Sequence, residues 1–60
     1  MKSSELIRML EEKGWTLVRV KGSHHTFKHP DFTNLVTVPH PTNEIKPGTL
    51  GQLLRKSGLK

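Results

Sequence analysis

Apolar residues in this 60-residue chain recur at helical spacing, then in alternation, then at helical spacing again. Leu6, Ile7 and Leu10 form the first stripe, with Met9 beside it. Ser3 or Ser4 can serve as N-cap, Glu5 suits the first turn, and Gly14 follows Lys13 as a stop. This predicts a helix from about Ser4 to Lys13, its Glu11, Glu12 and Lys13 a solvated end. From Trp15 to Lys21 the period changes to two. Thr16, Val18 and Val20 share one face, and Trp15, Leu17, Arg19 and Lys21 the other. Both faces start apolar, so this strand alone does not choose its inward side. Gly22-Ser23 reads as a tight turn, and a second strand runs from His24 to Lys28. There, His25 and Phe27 face one way and His24, Thr26 and Lys28 the other. Phe27 is the large apolar residue of that strand and points to the core.

His29 to Asn34 is a turn rich in Pro, Asp and Asn, and Leu35 to Val38 a third strand with Val36 and Val38 on one face. Pro39 and Pro41 end it, since neither can donate to a ladder. After a polar loop from His40 to Glu44, Pro47 suits a first helical position with Lys46 as N-cap. Ile45 and Leu50 then form a hydrophobic staple, and Leu50, Leu53 and Leu54 the buried stripe. Arg55 and Lys56 sit where the helix dipole favours cations, and Gly58-Leu59 forms the stop. Gly48 and Gly51 weaken this helix by roughly 1 kcal/mol each relative to alanine, suggesting close packing or a backbone contact with a ligand.

The order α-β-β-β-α predicts an α+β fold, a three-stranded antiparallel sheet with both helices on one face. With Val18, Val20, Phe27, Val36 and Val38 toward the helices, the open face carries Arg19, Lys21, His24, Thr26, Lys28 and Thr37. Leu17 and Trp15 then lie at one end of that open face. A chain of this length is expected to form one domain over residues 1–60, burying about 60% of its unfolded surface.

Charge sharpens the picture. Ten Lys and Arg against five Asp and Glu give a formal +5, a bias toward a polyanion or an acidic partner. Three of the five acids, Glu5, Glu11 and Glu12, lie in the first helix; Thr16 to Lys28 holds three cations, two histidines and no acid. Cysteine is absent, which excludes disulfides and thiolate zinc sites and is compatible with a reducing cytosol. Apolar runs no longer than two residues exclude a membrane span, and the expected location is cytoplasmic.

The chemistry concentrates in Gly22-Ser23-His24-His25, flanked by Arg19, Lys21 and Lys28. Lys and Arg neutralise phosphates, and Ser23 with the Gly22 amide can donate to a phosphate oxygen. Histidine titrates near neutrality and can move the proton of a ribose 2′-hydroxyl or of the leaving oxygen. Such cleavage is confined to RNA and uses neither metal nor cofactor. Paired histidines in a strand also serve packing and hydrogen bonding alone. No acid lies between Glu12 and Asp31, and the spacings of His24, His25, His29 and His40 match no familiar zinc pattern. Ser23 as a covalent nucleophile lacks an orienting third group. The charge and element order fit a non-catalytic double-stranded-RNA-binding module equally well, and a basic adaptor for an acidic protein is a further option.

The stretch from Gly14 to His25, GWTLVRVKGSHH, resembles the signature of the HicA (YcfA-like) toxin family. So do Val36-Thr37-Val38-Pro39-His40-Pro41 and Ile45-Lys46-Pro47-Gly48-Thr49-Leu50 with the closing Gly58-Leu59. Together they cover essentially the whole chain in the right order. The resemblance implies a toxin of a type II toxin–antitoxin system with a double-stranded-RNA-binding-domain-like fold. It implies ribosome-independent cleavage of mRNA and neutralisation by a HicB-type antitoxin that covers the active face. Family members keep a histidine in the Gly-Ser-His-His segment, some at the first position and some at the second. The resemblance therefore leaves His24 and His25 both open, and strand alternation puts His24 on the basic face. His24 is the expected general base or acid, with His25 supporting it or as the alternative. Gly22 shapes the turn, Ser23 holds phosphate, and Arg19, Lys21 and Lys28 supply charge from the residue reading rather than from the family.

Overall fold

The computed structural model describes all 60 residues and has the order α1 (Ser3–Glu12), β1 (Thr16–Lys21), β2 (His24–Lys28), β3 (Val36–Pro39) and α2 (Pro47–Lys56). The strands form one antiparallel sheet in the order β1-β2-β3. Both helices cover the face that carries Phe27, Val36 and Val38. Leu6 and Leu10 of α1, Leu53 of α2, and Trp15 and Ile45 close a core with these three. Ile7, Phe32, Leu50, Leu54 and Leu59 pack around it, half-buried. Burying side chains of this size stabilises by roughly 1.5–3 kcal/mol each, so these few residues supply most of the cohesion of so short a chain.

Both helices stop by the same hydrogen-bond pattern. After α1, the Gly14 and Trp15 amides donate to the carbonyls of Glu11 and Leu10. After α2, those of Gly58 and Leu59 donate to Arg55 and Leu54. Each is a Schellman turn, which caps the last carbonyls and folds the next apolar residue back onto the helix. Gly58 has φ +75°, and a Cβ there would lie 2.9 Å from Phe32 Cζ. Lys46 and Pro47 start α2 as the sequence suggests. The start of α1 differs. Lys2 is its N-cap, without a side-chain cap bond, because the Ser3 hydroxyl is engaged elsewhere. The Thr42 amide donates to Ser3 Oγ at 2.8 Å, and the same hydroxyl shares a hydrogen bond with His40 Nδ1 at 2.7 Å. Since the Ser3 amide also donates to the Thr42 carbonyl, the β3–α2 loop is strapped to the head of α1.

The first strand corrects the expected inward face. Leu17 pairs with Phe27 and Arg19 with Thr26, so Val18 is an extra residue bulged between them. Before the bulge Leu17 shares the helix-covered face; after it Arg19 and Lys21 share the open face with Thr26 and His24. Val18 and Val20 are not core: they are 48% and 54% exposed, while Trp15 is buried at 2%. The reason is position. β1 is an edge strand, and the helices make their main contacts with β3. Trp15 instead turns under the sheet, donating its indole N–H to the Ser57 carbonyl at 3.2 Å. Gly48 and Gly51 are not closely packed either. A Cβ at Gly48 meets nothing within 4 Å, and one at Gly51 makes ordinary contact with Arg55 at 3.5 Å.

Candidate active site

The β1–β2 hairpin is what gathers the chemistry. Lys21 pairs directly with His24, so Gly22-Ser23 is a two-residue loop. Gly22 has φ +59° and Ser23 does not, the pattern of a turn with glycine at its first central position. The tight loop fixes register, and register fixes neighbours. Across the open face one row reads Lys21, His24, Pro39 and the next Arg19, Thr26, Thr37. Arg19, Lys21, His24, Thr26 and Thr37 line an open depression of about 230 Å³.

Three of the residues expected from sequence therefore meet: Arg19, Lys21 and His24. Gly22 and Ser23 border the depression as its hairpin tip without lining it. Lys28 is on the same face but at the far end, opposite Thr16, and does not line it either. Thr26 and Thr37 belong to the site although sequence reasoning left them as generic face positions. Only the cross-strand register could have singled them out. Their hydroxyls lie 3.3 Å apart.

The depression is cationic and contains no carboxylate. The only ion pair in the chain joins the Met1 amine to Glu44, neither of which lines the depression. Arg19 and Lys21 thus keep their charge available to an anion. His24 is exposed among them, on the solvent side of the sheet. This combination can seat a phosphate and place an imidazole beside it.

His25 has different surroundings. It pairs with Val20 and Val38 on the helix-covered face, half-buried. Its ring meets His40 edge to face, centroids 4.8 Å apart, and its buried Nδ1 has no hydrogen-bond partner. His29 is structural. Its Nδ1 accepts the Asp31 amide at 3.0 Å, which leaves Nε2–H to donate to the Lys13 carbonyl at 2.8 Å. The same ring packs on Trp15 and Phe32. No group of three or more histidine and carboxylate side chains has the geometry to hold a metal ion. No helix is long and apolar enough to cross a membrane.

Comparison with known proteins places the chain as a whole. The family model of the HicA toxin of bacterial toxin-antitoxin systems matches residues 3–59. The chain is similar to a chain in the solved "HicA3 and HicB3 toxin-antitoxin complex", with 35% identity and a TM-score of 0.83. The match covers 97% of this chain and 94% of that one. No curated protein matches significantly.

Proposed function

Since the chain belongs to the HicA toxin family, we propose that it is the mRNA-cleaving toxin of a toxin–antitoxin pair, an endoribonuclease whose histidine is His24. The observation that carries this is the placement of His24 beside Arg19 and Lys21 in a cationic depression without carboxylates. Arg19 and Lys21 neutralise the phosphate charge as it grows in the transition state, the usual role of cations at a transferring phosphoryl group. The His24 imidazole takes the proton of the ribose 2′-hydroxyl. The 2′-oxygen then bonds to phosphorus, the bond from phosphorus to the 5′-oxygen breaks, and the departing oxygen takes a proton from solvent. The products are a 2′,3′-cyclic phosphate and a 5′-hydroxyl. Ser23 and the Gly22 amide, at the hairpin tip, contact the neighbouring phosphate, and Lys28 extends the charged track along the sheet. A HicB-type antitoxin, the partner found in the similar solved complex, neutralises the toxin by covering the open face.

The test is incubation of purified protein with labelled single-stranded RNA in excess EDTA. Cleavage leaving cyclic phosphate ends is the expected result. Ends bearing 3′-hydroxyl groups would count against direct 2′-hydroxyl attack, and tight binding of duplex RNA with no cleavage would favour the non-catalytic module.

A further inference from the structure

Between β2 and β3 the floor of the depression holds the two threonine hydroxyls, and their geometry is informative. Thr26 is 4% exposed, and its hydroxyl has one hydrogen-bond partner, Thr37 Oγ1. Thr37 is exposed and lines the depression. Either hydroxyl can donate in this bond, and the arrangement that leaves the unshared hydrogen on the more exposed residue has Thr26 donating to Thr37. The Thr37 hydrogen is then free, on the side where Arg19 and Lys21 draw an anion. At 3.3 Å the bond is longer than the 2.7–2.8 Å typical between hydroxyls.

We propose that Thr37 is a catalytic residue that donates its hydroxyl hydrogen to a non-bridging oxygen of the phosphate attacked beside His24. Thr26 is the positioning residue that turns that hydrogen outward. The inference rests on the ribonuclease reading of the same depression. It adds a neutral donor on β3, opposite the two cations of β1, so that the phosphate is held from both sides of β2. A cross-strand threonine pair also stabilises a sheet by itself, by roughly 0.2–1 kcal/mol. The experiment must therefore separate chemistry from folding.

The probe is an RNA with one scissile phosphate, made with oxygen or with sulfur at each non-bridging position. Wild-type protein should cleave one phosphorothioate diastereomer more slowly than the other. Thr37→Val, which keeps the shape and loses the hydroxyl, should lower kcat about 10²- to 10³-fold with a smaller change in KM. It should also erase most of the diastereomer preference, and Thr37→Ser should restore both. Thr26→Val should weaken the preference in part, with Thr26→Ser close to wild type. A folded Thr37→Val protein that keeps wild-type kcat and the full preference would overturn the proposal while leaving the ribonuclease reading intact. Absence of cleavage by the wild-type protein would remove that reading and this inference with it.

Discussion

Exchanging the burdens of the two adjacent histidines is the sharpest way to challenge the site. His24 is exposed in the cationic depression, whereas His25 is half-buried on the other side of the sheet. On the proposed mechanism His24→Ala removes the general base, which contributes typically 10²- to 10⁴-fold, or about 2.7–5.4 kcal/mol of activation free energy. Its stability should stay within about 0.5 kcal/mol of wild type, as for other surface changes. His25→Ala has the opposite profile. Loss of the edge-to-face contact with His40 costs about 0.5–1.5 kcal/mol. Removing the unpartnered Nδ1 recovers part of that, because an unsatisfied buried group is itself a penalty. The net loss is below about 1 kcal/mol, a fall in Tm of less than about 4–8 °C for a domain of this size. His25→Phe keeps the ring and deletes the orphaned nitrogen, so its Tm should match or exceed wild type. The assay is initial cleavage rate at a temperature well below every Tm, with melting followed by circular dichroism. A folded His25→Phe protein without activity, beside an active His24→Ala protein, would refute the assignment and the strand-face reasoning behind it.

Two further variants test the scaffold. Gly58→Ala should destabilise by about 2–3 kcal/mol, combining the left-handed backbone cost of about 1–2 kcal/mol with displacement of Phe32 from its stack on Trp15; urea midpoints against wild type measure it. Gly51→Ala should stabilise by about 0.5–1 kcal/mol, since the added methyl makes only ordinary contact with Arg55 and helix propensity improves. A higher thermal midpoint with unchanged cleavage is the expected result, and a lower one would show that Gly51 packs against something else.

Much of this fold was legible because local signals and long-range packing agree. The stripe Leu6, Ile7, Leu10 lies on the core side of α1, and Ile45-Lys46-Pro47 opens α2 where its chemistry indicates. The glycine stops at Gly14 and Gly58 follow from backbone angles that the sequence makes available. What stayed hidden depends on partners distant in sequence. Alternation along β1 pointed Val18 and Val20 inward and Leu17 outward, but a bulge at Val18, which no residue in that strand marks, turns Leu17 to the helix side, and Val20 stays exposed there because β1 is an edge. Ser3 looks like a helix cap in isolation; Thr42 and His40, far along the chain, claim its hydroxyl instead. At the site, alternation alone separated His24 from His25, because β2 is regular. Thr37 joined them only when β3 was set in register, since each threonine alone is an ordinary strand residue.

The bond from Trp15 to Ser57 has a practical corollary. Trp15 is the single tryptophan of the chain, it is buried, and its indole N–H is tied to the carbonyl that ends α2. Indole emission is sensitive to polarity and to hydrogen bonding at that nitrogen, so the molecule contains its own optical gauge of how the C-terminal helix is seated. Because Trp15 lies beneath the sheet while RNA and antitoxin are expected above it, the gauge can be read with the open face occupied. A label-free titration can then distinguish ligands that leave the helical layer undisturbed from those that pry it loose.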